Sequence, residues 1–487
     1  MCRKFSLHAL NALIRLFSAL LSITIMKPST KLLILSACLM ARAAFAAIVV
    51  PSANGTDGAL NITDDTVIDL SQAATGTWDQ DNTANAGKGV YDPEKWAVVF
   101  KYTNIIIASG KKVTFKNHAT RAPVVWLVSG NVSIAGTVDL SGESARDVWS
   151  SSLDGWAWEP THRPLGGRLT EPGPGGFRGG APWRGGNVLS AAGFGPGGGR
   201  VGTYVIGSQD KASSGGFGTD ATRWLPLQSG RAYGNPSLVP LIGGSGGGGS
   251  SSHGWGRAGG AGGGAILIAC ANQISLTSGQ INANGGNGDW DSNGAGSGGG
   301  VRLVCETLSG SGSIAATGGN GTVSTPGSGR IRLERVSNSN TINVAPSPSA
   351  LDLLDGATAL LWPPSSAPQA KVLSVNAVNT PSDPKASFGT YTPDVALPLV
   401  PSVQVVVETV NVEQASTVVV RVTPRNGMIV NTTDTNGNPT TRDTRDANEA
   451  NATVQQVVST NPLIIRWVAT VSALPGHSAV QARIIRP

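Results

Sequence analysis

Residues 243–270 read GGSGGGGSSSHGWGRAGGAGGGAILIAC, and the fold turns on what so much glycine is for. A Gly/Ser run can be a flexible linker or a phosphate-cradling loop. It can also be folded structure in which the missing side chains let backbones touch. A phosphate loop is disfavoured, because no GK[ST] is present and no amphipathic helix follows. Three features separate packed structure from a linker. The stretch lies inside a repeat, it runs into the strand-like AILIAC without a polar spacer, and Gly recurs at every third place. Those places are Gly243, Gly246 and Gly249, then Gly256, Gly259 and Gly262. A three-residue period is that of polyproline II. The expectation is packed scaffold, with a flexible linker as the alternative.

The repeat around it joins a short apolar run, a turn, and a second alternating run ending in glycine. ILIACANQISLTSGQINANGG (266–286) and VRLVCETLSGSGSIAATGG (301–319) superpose almost residue by residue. Ile266, Ile268 and Cys270 fall on Val301, Leu303 and Cys305. VVWLVSGNVSIAGTVDLSG (124–142) is a further copy, IRLERVSNSNTINVAP (331–346) a truncated one, and VVFKYTNIIIASGKKVTFKN (98–117) a looser one. Period-2 alternation turns one side of each strand inward, and no copy buries that side alone, so the copies must stack. The predicted fold class is all-β. Residues 47–346 form a glycine-rich, right-handed parallel β-helix-like solenoid of about five coils, with a Gly/Trp-rich insertion at 143–265. A Pro/Ser-rich linker covers 347–371, within which LLDGATALLW (353–362) is expected to seal the open end of the stack. From 372 to 487, short alternating strands between turn clusters predict an antiparallel, immunoglobulin-like β-sandwich. It lacks the Cys pair and central Trp of an antibody-type domain.

The formal charge of +6 comes from the N-terminus. Residues 1–46 hold Arg3, Lys4, Arg15, Lys27, Lys31 and Arg42 and no acid, which leaves 30 basic against 30 acidic residues beyond them. With no Lys/Arg cluster, nucleic-acid binding is excluded as an expectation. From Met26, MKPSTKLLILSACLMARAAFAA has the basic start, apolar run and small-residue end of a signal peptide, with cleavage before Ala47. The start is Met1 or Met26. Lys27, Pro28 and Lys31 interrupt the hydrophobic run before it reaches membrane-spanning length, so no span is expected in the mature chain. Leu35-Ser36-Ala37-Cys38 offers a lipid-anchored outer-membrane alternative, but apolar residues follow that cysteine. The expected location is secreted or at the cell surface.

APVVWLVSGNVSIAGTVDLSGE (122–143), SGRAYGNPSLVPLIGGSGGGG (229–249) and GSGGGVRLVCETLSGSGSIAATGG (296–319) carry a family likeness. Over roughly 90–345 the chain resembles glycine-rich secreted bacterial repeat proteins of β-helix and adhesin type. That resemblance implies export and a β-helical fold, and brings no catalytic motif.

Candidate chemistry is sparse. Asp289, Asp291 and Asn293, followed by Gly294, match the opening of a calcium loop, where alternate oxygens converge on a hard cation. The twelfth position is Gly300 rather than a bidentate Glu, and a polar turn between coils is the alternative. Calcium is the one cofactor candidate. Trp149, Trp156, Trp158 and Trp183 either pack a small core in the insertion or form a flat aromatic surface for glycan rings. Cys270 and Cys305 sit at equivalent places in stacked strands about 4.8 Å apart. There they form either a disulfide or an unbonded inward ladder. Asp139, Glu143, Asp147, Glu306, Arg302 and Arg332 are scattered charges without a recognisable constellation. His118, His162, His253 and His477 lack metal-ligand spacing. Catalysis is therefore not the leading expectation. The sequence favours an exported structural or adhesive protein whose partner is polysaccharide or other cell-envelope material. The alternative is a polysaccharide-active lyase or hydrolase on a β-helix.

If calcium occupies the Asp289–Asn293 loop, millimolar Ca²⁺ raises the melting temperature, and Asp289→Ala with Asp291→Ala abolishes the rise. A wild-type melting curve indifferent to calcium and chelator removes calcium from consideration.

Overall fold

Val and Ile at every second place make each short run a strand with a face to bury. The computed structural model describes residues 47–145, 169–182, 188–205, 208–222, 230–252, 255–288, 293–322, 324–385, 392–433, 439–443, 446–473 and 476–487. The signal-peptide region 1–46 lies outside them. Strands and two short 3-10 turns, Leu70–Gln72 and Thr83–Asn85, make up the named elements. The chain is all-β, as expected.

In the N-terminal part the chain passes repeatedly between two parallel sheets. The passes run Gly58–Ile62 to Thr66–Asp69, Ala97–Ile107 to Lys112–Lys116, and Val124–Ile134 to Thr137–Asp139. They continue with Ala265–Leu276 to Gln280–Asn282, Gly300–Gly310 to Ser313–Ala315, and Arg330–Asn340 to Asn343–Ala345. Register is continuous across them. Val98, Val124, Ile266, Val301 and Ile331 form one ladder in the larger sheet. Val113, Val138, Ile281, Ile314 and Val344 form one in the smaller. Their side chains meet in a single core between the sheets. Six passes exist where about five were expected. The unforeseen one, 58–69, is rich in polar residues and lacks the glycine ending of the copies at 124–142, 266–286 and 301–319. Val124–Val128 pairs directly with Ala265–Cys270, so these two passes are adjacent although more than a hundred residues separate them in sequence.

The larger sheet is buried on both faces along 97–102, 124–128, 265–270 and 300–305. Ala97, Val99, Val125, Leu127, Leu267 and Val304 point away from the main core into a second cluster with Ile48, Trp78, Phe217, Leu238, Ala359 and Leu361. The 353–362 segment therefore does not seal the end of the stack. Ser349–Asp352 adds the last short parallel strand, and the following residues turn back along the outer face. There Ala359 N donates to Val49 O and Val49 N donates to Ala357 O. An apolar outer face left by alternating Val and Leu requires such a cover.

The glycine stretch is folded. From Gly243 to Gly249 every backbone N–H has an acceptor, in order Gly175 O, Gly263 O, Ser297 Oγ, Phe194 O, Gly260 O, Ser213 O and Ala191 O. Bonds to one neighbour recur every third residue. Phe177 and Gly180 donate to Gly244 and Gly247, and Gly199 and Gly202 donate to Gly246 and Gly249. Gly244 and Gly247 in turn donate to Gly263 and Gly260. That spacing is the three-residue turn of a polyproline II-type strand, with a neighbouring strand on each side. A Cβ on Gly247 would lie under 3.0 Å from backbone atoms of Gly294. Packed scaffold is the alternative that holds.

The C-terminal strands fall where alternation places them, for example Ser402–Val410, Thr417–Pro424 and Leu463–Ser472. They form a seven-stranded antiparallel sheet. Asn448–Thr460 pairs through 448–452 with Thr417–Pro424 and through 453–460 with Leu463–Ser472, so the sheet folds over one core. The result is sandwich-like. Two details differ from expectation. Trp467 does occupy the core, 3% exposed, its Nε1 donating to Thr409 Oγ1 at 2.8 Å. Gly427–Thr433 leaves the sheet, forming a hairpin with Pro439–Asp443 and pairing with Val188–Leu189 of the insertion. Residues 47–487 form one compact unit, and among the described residues no helix is long and apolar enough to cross a membrane.

Overpacking against backbone costs about 1–3 kcal/mol or more. Gly247→Ala is therefore expected to lower the urea midpoint more than Gly110→Ala. Gly110 has φ +74° and open space around its Cβ direction, so only left-handed strain of about 1–2 kcal/mol applies there. Equal losses would contradict the packed bundle.

Candidate functional site

A cleft with a volume of about 460 Å³ opens where the smaller sheet meets the insertion. Its wall begins in Lys112–Lys116. Val113 faces the core, which turns Thr114 and Lys116 outward. The chain then makes a turn through Asn117 and His118, with Arg121 at φ +57°. The second wall is the exit from Thr137–Asp139 through Leu140, Ser141 and Glu143, and the third is 171–174 of the insertion.

Charges in this cleft are tied to one another. Lys112 Nζ lies 2.6 Å from Asp139 Oδ2. Burial pushes the Asp139 carboxyl up, but Lys112 and Ser141 outweigh it and hold it below the usual carboxylate range. Glu171 receives two guanidinium groups, with Arg121 Nε donating to Oε2 at 3.2 Å and Arg178 Nε donating to Oε1 at 2.9 Å. Glu143 and Glu171 are also joined through backbone. Glu143 N donates to Glu171 O at 2.9 Å, and Glu171 N donates to Glu143 Oε2 at 2.8 Å. Lys116 Nζ is 2.8 Å from Asp69 Oδ2.

His118 stacks on Tyr91 with ring centroids 4.1 Å apart. Tyr91 Oη donates to Asp383 Oδ1 at 2.7 Å, and Lys385 Nζ lies 2.7 Å from the same carboxylate. Burial, reinforced by the Lys385 charge and opposed by Asp383, lowers the His118 pKa. His118 Nδ1 accepts from Thr120 N at 3.3 Å and lies 2.9 Å from Thr120 Oγ1. Thr120 N–H donating to Nδ1 requires that nitrogen to be unprotonated, and the lowered pKa favours the same neutral ring with its proton on Nε2.

Of the charges singled out in the sequence, the structure brings Asp139 and Glu143 together here, and adds Glu171, Arg121 and Arg178, which sequence reasoning missed. The available signal was Glu171 itself, a single charge in the LTEPGPGGF stretch. Arg302 and Arg332 lie elsewhere. Both reach Glu334 Oε1, at 3.0 and 3.2 Å, and Arg302 Nη2 donates to Leu360 O at 2.6 Å. Arg302 is 1% and Glu334 5% exposed, so this cluster fastens the 353–362 cover to the sheet. Glu306 lies on Gly300–Gly310, away from the cleft. Asp147 falls outside the described residues.

The same holds for Trp149, Trp156, Trp158 and Trp183, and for Asp289 and Asp291. Asn293 is described. It is fully buried, and its Nδ2 donates to Ala258 O. Among the described residues no group of three or more His, Cys, Asp or Glu is placed to hold a metal ion.

Cys270 and Cys305 follow the paired residues Ala269 and Val304 on adjacent strands. Both thiols are free and buried, so of the two alternatives the disulfide gives way to the ladder. Cys270 Sγ donates instead to Gly130 O at 3.0 Å, and burial pushes its pKa up to about 12. A thiol held protonated in this way is a core residue rather than a nucleophile.

The comparisons add no relative to this geometry. No family model, curated protein or solved structure matches the chain.

The lowered His118 pKa makes a pH prediction. Well above the ordinary histidine value of 6.5, the ring is unprotonated in both folded and unfolded chain and adds no pH dependence to stability. As pH falls below that value the unfolded chain takes up the proton first, so stability declines until the folded pKa is passed. His118→Gln should flatten that part of the slope in urea titrations at successive pH values. Parallel slopes for both proteins would contradict the assignment.

Proposed function

We propose that the protein is an exported bacterial structural or adhesive protein, secreted or held at the cell surface. In this reading residues 47–346 wind as a right-handed parallel β-helix, of the kind borne by glycine-rich secreted repeat proteins. Right-handed crossovers are the rule for parallel strands, and the continuous register of the two sheets supports the winding. The observation that carries the functional reading is the glycine insertion. Its strands are hydrogen-bonded through every N–H from Gly243 to Gly249 and pinned to the C-terminal sheet by Arg421 Nη2 on Gly198 O at 3.2 Å. Such a body presents its loops rigidly, which suits adhesion to a repetitive surface such as polysaccharide or other cell-envelope material. Trp149, Trp156, Trp158 and Trp183 are the proposed aromatic contacts, and calcium at Asp289, Asp291 and Asn293 is the proposed metal.

A polysaccharide lyase or hydrolase is the second reading, favoured by one observation: Asp139, Glu143 and Glu171 line a single cleft. Against it, Asp139 and Glu171 are each neutralised by a basic partner, which leaves the cleft without the pair of uncommitted carboxylates such chemistry requires. Release of reducing ends from a polysaccharide would reverse that preference.

Residues 47–487 are expected to be retained on at least one insoluble polysaccharide, and Trp156→Ala with Trp158→Ala to reduce retention at least severalfold. Folded protein retained on nothing, with or without calcium, would remove the adhesive reading.

A further inference from the structure

We propose that the cleft between 114–121, 139–143 and 171–174 binds a neutral oligosaccharide segment. The inference rests on the adhesive reading and assigns it a contact distinct from the tryptophans. The volume of about 460 Å³ lies in the range of small-ligand sites.

The charge arrangement selects the ligand class. Lys112 is held by Asp139, Lys116 by Asp69, and Arg121 and Arg178 by Glu171. Each of these cations carries its own carboxylate, so an anionic ligand meets that carboxylate's repulsion together with the cation's attraction, and a cationic ligand meets the reverse at Asp139 and Glu171. Hydroxyl groups avoid both. A carboxylate offers up to about four acceptor directions, so Asp139 can keep its bonds to Lys112 and Ser141 and still accept from a sugar hydroxyl. His118 Nε2–H is a donor, since Thr120 occupies Nδ1. The Thr114 hydroxyl serves either role. Pro172 supplies apolar wall for the C–H face of a ring. Because the ion pairs already order the polar side chains, binding costs little further side-chain entropy.

The test is calorimetric titration of the protein with hexamers of cello-, manno- and chito-oligosaccharide, with hexagalacturonate as the anionic arm. At least one neutral hexamer is expected to bind saturably. His118→Ala and Thr114→Val should each weaken it about tenfold, the loss of one hydrogen bond to ligand. Thr114→Val keeps the shape and strand preference of the residue, so an unchanged melting temperature certifies its fold. Hexagalacturonate should bind at least tenfold more weakly than the best neutral hexamer. Absence of binding by any neutral hexamer, tighter binding of hexagalacturonate, or wild-type affinity in both variants would overturn the proposal. If the protein is still retained on insoluble polysaccharide in that case, the cleft assignment fails and the adhesive reading stands. If nothing is retained either, both fail.

Discussion

Seven successive N–H groups, from Gly243 to Gly249, reach acceptors on several separate stretches of chain, and this is possible only where no side chain intervenes. Buried peptide groups must be paired. In a sheet the pairing lies in one plane and side chains occupy the two faces. Here it radiates on successive thirds of a turn, so nearly all the space around the strand is taken by other backbones, the Ser245 and Ser297 hydroxyls being exceptions. Apolar burial contributes little to this region. Its own described side-chain cluster holds Leu169, Ala181, Ala191 and Phe194, with Phe177 and Ala479 packed against it, while Phe217, Leu238 and Leu241 join the cluster outside the larger sheet. Cohesion comes instead from peptide hydrogen bonds, each worth about 0.5–1.5 kcal/mol net. They must offset the large backbone entropy that glycine loses on folding.

The neighbouring stack obeys the opposite economy. Its strands are Val- and Ile-rich, it forms one core between two sheets and a second outside the larger one, and it brings few charges inside. One buried pair, Arg302 with Glu334, serves the cover. Arg302 and Glu334 would be costly alone in that setting, and pairing is what makes their burial tolerable. The two regions are continuous because glycine segments at 283–288, 293–300 and 316–321 leave one pass and enter the next. Gly285 N bonds to Thr317 O and Gly296 N to Gly286 O along the way. The inter-pass corners of the stack therefore become strands of the bundle.

Legibility followed periodicity. The equivalence of Ile266, Ile268 and Cys270 with Val301, Leu303 and Cys305 was readable, because parallel register repeats the same residue type on successive rungs. The three-residue glycine period was readable for the same reason. The C-terminal strands appeared within a residue or two where alternation was clean, as in SVQVVVETV. What alternation cannot say is which partner an amphipathic strand chooses. GMIVNTT therefore looked like a sandwich strand, yet it pairs with Val188–Leu189 across more than two hundred residues. Likewise LLDGATALLW was apolar enough to cover something, but its own residues did not specify a side rather than an end. The cleft was the least legible feature. Asp139 and Glu143 were visible as charges, but Glu171 and Arg178 reach them only because the bundle folds back on the stack.

That dependence ties site to scaffold. Glu171 is the meeting point, since its backbone exchanges hydrogen bonds with Glu143, which continues from the stack, and its carboxylate joins Arg121 of the stack to Arg178 of the bundle. Arg178 in turn has its carbonyl bonded to Phe194 N, and a Cβ on Gly246 would press on that same carbonyl. The third wall of the cleft is thus positioned by the glycine packing, one strand removed. A side chain inserted at Gly246 would push on Arg178 before it disturbed any group lining the cleft, and Arg178 would carry the displacement to Glu171. The glycines that carry no chemistry of their own therefore set the geometry of the residues that do.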